Sequence, residues 1–176
     1  MLRQTHIADE SRRENTAEHS WHIAMAAITL SEYADEPVDI LRVLKMLLVH
    51  DIVEIDAGDT FAFDETGYED KFERETRAAN RIFGILPDEQ RSEFMTIWQE
   101  FEAAETTDAI FAKVIDRVQP LLQNMASGGG SWNDYNVTLA QIDSRVGEKV
   151  ARGAPELWKF IRARIVTFFK TWRGGL

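Results

Sequence analysis

The spacing of apolar residues is the feature that most restricts the fold of this 176-residue chain. In one segment after another they recur every three or four residues, which is the period of an amphipathic α-helix. The clearest example has apolar side chains at Ile110, Phe111, Val114, Ile115, Val118, Leu121 and Leu122. No segment shows sustained alternation of apolar and polar residues. The pattern predicts an all-α fold, a single domain of about six or seven helices spanning residues 1–176.

Prolines and capping side chains predict where these helices begin. The expected starts are Asn15 with Glu18 as a capping box, Pro37, Pro87, Thr107 or Asp108, Asn133 or Asp134, and Pro155. The first helix is expected to run to about Tyr33. A further, highly charged helix is expected from about residue 65 to residue 83.

The amino-acid composition restricts which partners the chain can bind and which residues can hold a metal. The formal net charge is -10, and an acidic surface disfavours broad contact with a nucleic-acid polymer. There is no cysteine, so any metal must be held by His, Asp or Glu. No apolar run reaches the length of a membrane span, and the polar first residues do not resemble a secretory signal. We therefore expect no membrane partner and a cytoplasmic location.

A histidine and an aspartate stand at the end of a strongly apolar helix. His50 and Asp51 follow the apolar residues 46–49, and buried charge of this kind needs a partner such as a cation. His19 offers a second imidazole on the preceding helix, and Asp116 a second carboxylate on a later apolar helix. Two imidazoles and two carboxylates on three helices predict one site for a divalent Mn, Fe, Co, Ni or Zn ion.

Each of these residues also has a simpler interpretation. A His-Asp dipeptide by itself is a weak signal, and His19 alone could be a hydrogen-bonded helix histidine. Asp116 alone could pair with Lys113 or Arg117. His22, three residues after His19, is interpreted as a packing residue or a supporting residue rather than a ligand.

Three local stretches resemble a known family. Residues 13–20 (RENTAEHS), 50–59 (HDIVEIDAGD) and 113–117 (KVIDR) are similar to motifs of the HD superfamily of phosphohydrolases, in its 5′-deoxynucleotidase branch. The resemblance covers roughly residues 3 to 125. In that branch a basic residue some fifteen positions before the first histidine contacts phosphate, and Arg3 is the nearest candidate. The resemblance also implies a homodimer.

Four further residues are candidates for chemistry at this site. Glu54 lies one turn beyond His50, which suits a base or a group that orients water, although it could be a solvated helix position. Asp59 could act as general acid or bind a sugar hydroxyl, or could serve only the loop. Arg3 and Arg13 are the candidate phosphate-binding residues, and Arg13 could equally lie on the surface.

The leading hypothesis is a metal-dependent phosphomonoesterase acting on nucleoside 5′-monophosphates, with a preference for 2′-deoxynucleotides implied by the resemblance alone. The alternatives are an HD hydrolase of an alarmone or a cyclic dinucleotide, and a non-catalytic nucleotide-binding module. Of the four histidines none follows His50, which favours a one-metal site.

Overall fold

Helices dominate the structure, a computed structural model that describes residues 2–61, 63, 67 and 69–172. They are α1 Thr16–Leu30, α2 Ile40–Val49, α3 Glu54–Ala57, α4 Lys71–Phe83, α5 Asp88–Ala103, α6 Thr107–Ala126, α7 Ser131–Asp134, α8 Leu139–Ile142, α9 Glu148–Gly153 and α10 Pro155–Trp172. Tighter 3-10 turns follow α1 and α2, and a π-helical turn over Asp143–Gly147 joins α8 to α9. The all-α prediction is confirmed.

A small antiparallel hairpin precedes the helices and was not predicted. Strand β1 (Leu2–His6) pairs with β2 (Arg13–Asn15), with Leu2 opposite Asn15 and His6 opposite Arg13. These strands are too short to show a readable alternation. The hairpin leads directly into α1, because Asn15 accepts a hydrogen bond from the Glu18 backbone at 3.1 Å and the Glu18 side chain accepts one from Asn15 N at 3.0 Å. This is the predicted capping box.

The predicted starts of the later helices agree with the structure to different degrees. Pro155 opens α10 and Pro87 precedes α5, as expected. Helix α2 begins three residues after Pro37, because the Asp39 side chain accepts hydrogen bonds from the first backbone N–H groups. The hydroxyl of Thr106, one residue before the expected cap, caps α6.

Two predicted helices are shorter or displaced. The charged helix α4 begins at Lys71, and residues 65, 66 and 68 of its predicted first turns lie outside the described residues. The prediction of a start at residue 133 or 134 was wrong. Those residues close the single turn of α7, and the next helix begins after Thr138, which forms its own capping box with Gln141.

Helix α6 runs through the middle of the fold and contributes to two apolar clusters. The first contains Ile23, Val43, Phe83 and Trp98, and α6 adds Ile115 to it. The second lies under α7–α10, and α6 adds three buried residues, Val114, Val118 and Leu121. Asp116 on the same helix therefore lies where the two clusters meet. No helix among the described residues is both long and apolar enough to cross a membrane.

Candidate metal centre

The helix that carries the His-Asp pair changes its winding at that pair. Helix α2 ends at Val49, and His50–Val53 form a 3-10 turn before α3 begins at Glu54. In a 3-10 turn, residues three apart lie above one another. Asp51 and Glu54 therefore point to the same side, toward the first strand. Both residues of the pair are buried, with His50 7% and Asp51 3% exposed.

The structure brings together the four predicted ligands. The Nε2 atom of His19 lies 3.2 Å from Asp116 Oδ1 and 3.9 Å from Asp51 Oδ2. The Nε2 atom of His50 lies 2.9 Å from Asp51 Oδ1 and 3.5 Å from Asp116 Oδ1. Donor atoms of three of them, His19, His50 and Asp51, all lie within 4.8 Å of one another. Two nitrogen and two carboxylate donors from α1, α6 and the turn after α2 converge on one point.

Each imidazole is oriented by a hydrogen-bond acceptor at its Nδ1 atom, on the side of the ring away from the centre. The Nδ1 atom of His19 lies 3.1 Å from Glu14 Oε1, and that of His50 lies 3.0 Å from the carbonyl oxygen of Leu47. In a neutral imidazole, an acceptor at Nδ1 places the single proton there, which leaves the lone pair on Nε2 for a metal. In His50 this Nε2 is buried and faces the carboxylates of Asp51 and Asp116 without a well-directed hydrogen bond to any described residue. This is the geometry in which protein histidines bind a metal.

The charges of the centre favour a positive occupant. Burial lowers the pKa of His50, but the carboxylates of Asp51 and Asp116 more than offset this and raise the pKa to about 10. Burial acts in the opposite direction on Asp116, yet contact with the two histidines holds the pKa of that carboxyl well below its usual value. A carboxylate cluster that draws protons onto imidazole will also draw a divalent cation, and its mixed N and O donors fit a first-row transition ion.

Arg3 lies against this centre. It projects from β1, donates hydrogen bonds to Asp51 and to Glu54 (3.4 Å), and its side chain is 12% exposed. Arg13 does not join it. The Arg13 guanidinium donates to Gln4 Oε1 at 2.7 Å, beside the Asp134 carboxylate at 3.8 Å, on the other side of the hairpin.

The two predicted acid–base residues both lie at the open space beside the centre. Glu54 is 7% exposed, and burial together with the negative Asp51 raises its pKa to about 9, against the opposing effect of Arg3. Gly58, with φ of +81°, ends α3 and turns the chain back toward β1. The carboxyl of Asp59 then accepts a hydrogen bond from the Gln4 backbone, while burial raises its pKa.

A pocket opens from the centre along α6. Its inner end is formed by Arg3, His50, Asp51, Glu54 and Asp116. Further along, the lining becomes apolar and aromatic, and the residues of that part are Phe61, Phe63, Pro120, Leu121, Trp132 and Val146. A concave site with charged groups at one end and apolar walls at the other suits an elongated ligand that carries a charged group.

Sequence reasoning missed the residues that support the histidines. Glu14 is 1% exposed and accepts from both His19 and Gln119 Nε2, the latter at 3.0 Å. The Phe101 ring packs on His50 with centroids 4.5 Å apart. Lys113 donates to Glu102 at 2.7 Å and lies over the Phe101 ring at 3.9 Å, so it does not pair with Asp116. The only sequence signal for these supporting contacts was Glu14, a glutamate five residues before His19.

Comparison with known proteins identifies the family. A family model described as HD domain matches residues 1–158. The chain belongs to the HD domain family. A solved structure from Magnetospirillum magnetotacticum MS-1, described as a predicted metal-dependent phosphohydrolase, is 52% identical to this HD domain chain. It superposes with a TM-score of 0.91, covering 97% of this chain and 85% of that one.

Relatives of this HD domain chain with curated names share less sequence. The human protein named 5′-deoxynucleotidase HDDC2 is 30% identical over 112 residues, which covers 64% of this chain and 53% of that protein. The Dictyostelium discoideum protein of the same name is 30% identical over 115 residues, which covers 62% of this chain and 60% of that protein. The chain thus spans little more than half the length of the curated relatives it matches.

Proposed function

We propose that this chain is a metal-dependent phosphohydrolase that removes the phosphate from nucleoside 5′-monophosphates. The observation that carries the proposal is the convergence of His19, His50, Asp51 and Asp116, with both Nε2 atoms directed inward and that of His50 lacking a well-directed hydrogen bond among the described residues. We assign these four as ligands of one divalent ion of the series Mn, Fe, Co, Ni and Zn. The names of the related proteins support the reaction class.

Arg3, Glu54 and Asp59 each have a separate proposed role around the phosphate. A bound divalent ion would polarise a phosphate oxygen and activate water. Arg3 supplies a guanidinium for the phosphate, since it lies beside Asp51 at the inner end of the pocket. Glu54, next to Arg3, is positioned to orient the attacking water and to move a proton. Asp59, at the pocket wall, is assigned to a sugar hydroxyl or to protonation of the leaving oxygen.

The substrate assignment rests on charge and shape. The pocket has one group of residues suited to a terminal phosphate and an apolar section suited to a nucleoside. Preference for 2′-deoxy sugars is supported only by the names of the curated relatives. The phosphate-binding role predicted for Arg13 has no support from its position. A homodimer, a cytoplasmic location and a single domain over residues 1–176 remain predictions from the sequence.

Phosphate release from the purified chain tests the proposal. Each of Mn, Co, Ni, Zn and Mg is supplied in turn with paired ribo and deoxyribo 5′-monophosphates, 3′-monophosphates, triphosphates and cyclic dinucleotides. We expect release from 5′-monophosphates, lost in His50→Ala. Equal specificity constants for ribo and deoxyribo substrates would remove the deoxy preference alone. Cleavage of a dinucleotide or alarmone without activity on monophosphates, or binding without turnover, would establish one of the alternatives instead.

A further inference from the structure

A polar side chain, Asn124, lies in the apolar part of the pocket and is held in a fixed orientation. Asn124 lines the pocket from α6 and is only 2% exposed. Its Oδ1 accepts hydrogen bonds from the backbone N–H of Ser131 at 2.8 Å and from the Ser131 hydroxyl at 3.0 Å. Because a backbone N–H can only donate, the atom facing Ser131 must be the oxygen. The amide of Asn124 therefore cannot flip.

This orientation leaves the Nδ2 group without a protein partner. Among the described residues Asn124 Nδ2 donates no hydrogen bond, and the group belongs to a residue that lines the pocket. A nearly buried amide whose donor side is unpaired is costly unless a ligand or water accepts from it. The Nδ2 group of Asn124 thus offers the pocket a donor, while its Oδ1 is engaged by Ser131.

The loop after α6 is built around this amide. Gly130 has φ of +39°, a conformation that L side chains rarely adopt. A Cβ atom at that position would lie 2.7 Å from Asn124 Oδ1 and 2.5 Å from Ser127 Oγ. Residues Gly128–Gly130 therefore let the chain turn tightly enough for Ser131 to reach Asn124.

The surroundings of Asn124 suit a planar ring. Leu121, Trp132 and Val146 line the same pocket and belong to the same apolar cluster. Phe61 and Phe63, with ring centroids 5.2 Å apart, pack against that cluster and also line the pocket. Asn124 follows Asp116 by eight residues, about 12 Å along the helix axis. This matches the span of a nucleotide from its phosphate to its base.

We propose that the apolar end of the pocket is a nucleobase subsite in which Asn124 Nδ2 donates a hydrogen bond to the base. The proposal rests on the function proposed above, because the phosphate must lie at Asp116 for the base to reach Asn124. A donor-only edge pairs with an oxo group and opposes an amino group at the same ring position. The subsite therefore prefers a base with an oxo group to its amino counterpart.

Matched nucleotide pairs test this preference. The 5′-monophosphates of deoxyinosine and deoxyadenosine differ only along the C6/N1 edge, where an oxo group beside a ring N–H is replaced by an amino group beside a ring acceptor. Those of deoxyuridine and deoxycytidine differ in the same way along the C4/N3 edge. We expect kcat/KM of the wild type to favour the oxo member by about tenfold in at least one pair, the scale of one unpaired buried polar group. For the wild type and for each variant described below, the midpoint of thermal unfolding shows whether the protein is folded.

Substitutions of Asn124 predict opposite results. Asn124→Asp keeps the acceptor for Ser131, whose two donors stabilise the ionised carboxylate, and presents an oxygen to the base. We expect this variant to favour the amino member. Asn124→Ala should bring the ratio close to one. Asn133→Ala is the matched control, because Asn133 donates to the Gly128 carbonyl in the same loop and does not line the pocket.

The outcomes separate this proposal from the function on which it rests. Hydrolysis of all four nucleotides with oxo to amino ratios near one, or an unchanged ratio in a folded Asn124→Asp, would overturn the base subsite and leave the phosphohydrolase intact. Absence of turnover with every nucleotide and every metal would overturn both.

Discussion

The contact between Glu14 and His19 gives a prediction whose size can be worked from the structure. Glu14 is 1% exposed, and its two oxygens accept from His19 Nδ1 at 3.1 Å and from Gln119 Nε2 at 3.0 Å. Truncation in Glu14→Ala leaves two buried N–H groups without an acceptor, that of His19 Nδ1 and one of the two of Gln119 Nε2, whose other partner is His22 Nδ1 at 3.1 Å. At about 1–3 kcal/mol for each, the free energy of unfolding of the metal-free protein should fall by about 2–6 kcal/mol. That is a large part of the stability of a typical domain, about 5–15 kcal/mol.

The isosteric variant separates metal binding from folding. Glu14→Gln keeps one oxygen for His19, and Gln119 can rotate to offer its Oε1, which is buried without a hydrogen bond in the wild type. We therefore expect a small loss of stability. A neutral amide stabilises the partial positive charge on metal-bound His19 less than a carboxylate does. Metal affinity should therefore fall by about 10–100-fold, the usual effect of losing the hydrogen-bonding carboxylate behind a metal-binding histidine.

Competition with a fluorescent chelator gives the metal dissociation constant, and urea denaturation of the metal-free protein gives the stability. Glu32→Gln, on the exposed turn after α1, makes the same change in charge away from the site and is the control. Nitrogen NMR of the imidazole reports whether the proton remains on Nδ1. A Glu14→Gln variant with wild-type metal affinity and the proton on Nδ1 would refute the argument that Glu14 orients this ligand.

Other substitutions test the centre and the pocket separately. His50→Ala and Asp116→Ala should lose bound metal, measured by elemental analysis, since removing one partner leaves the other buried charges uncompensated; full occupancy in both would contradict the ligand assignment. Glu54→Ala should retain metal while turnover falls by about a hundredfold or more, and loss of metal would instead make it a ligand. Gly130→Ala should lower the thermal midpoint and weaken the base preference, because its Cβ would displace Asn124; an unchanged ratio of specificity constants would argue against the fixed amide.

Much of the fold was predictable because helix periodicity and capping are local properties. The α1 capping box and the start of α10 at Pro155 needed only neighbouring residues. The helix predicted at residue 133 failed for a different reason. Its start depends on a glycine turn that is held by a contact between Asn124 and Ser131, seven residues apart, and periodicity carries no information on that contact.

The candidate site was predictable in part for a related reason. His50, Asp51 and Asp116 are polar residues next to apolar helix surfaces, so their need for a partner can be inferred locally. The sequence alone could not predict which of the two arginines, Arg3 or Arg13, reaches the centre. Arg3 and Arg13 lie on two strands of one hairpin, and only the pairing register decides that Arg3 faces Asp51 while Arg13 faces Gln4.

The winding at the His-Asp pair explains why this hairpin belongs to the site. On an α-helix, residues three apart are offset by about 60° around the axis, so an unbroken α2 would direct Asp51 and Glu54 to different sides. The 3-10 turn His50–Val53 instead aligns Asp51 with Glu54. Two buried carboxylates so aligned repel each other, and Arg3 from β1 contacts both. The hairpin thus places a positive charge beside the two carboxylates that the turn brings to one side. The same Arg3 guanidinium, which contacts both carboxylates, lies where a phosphate would enter.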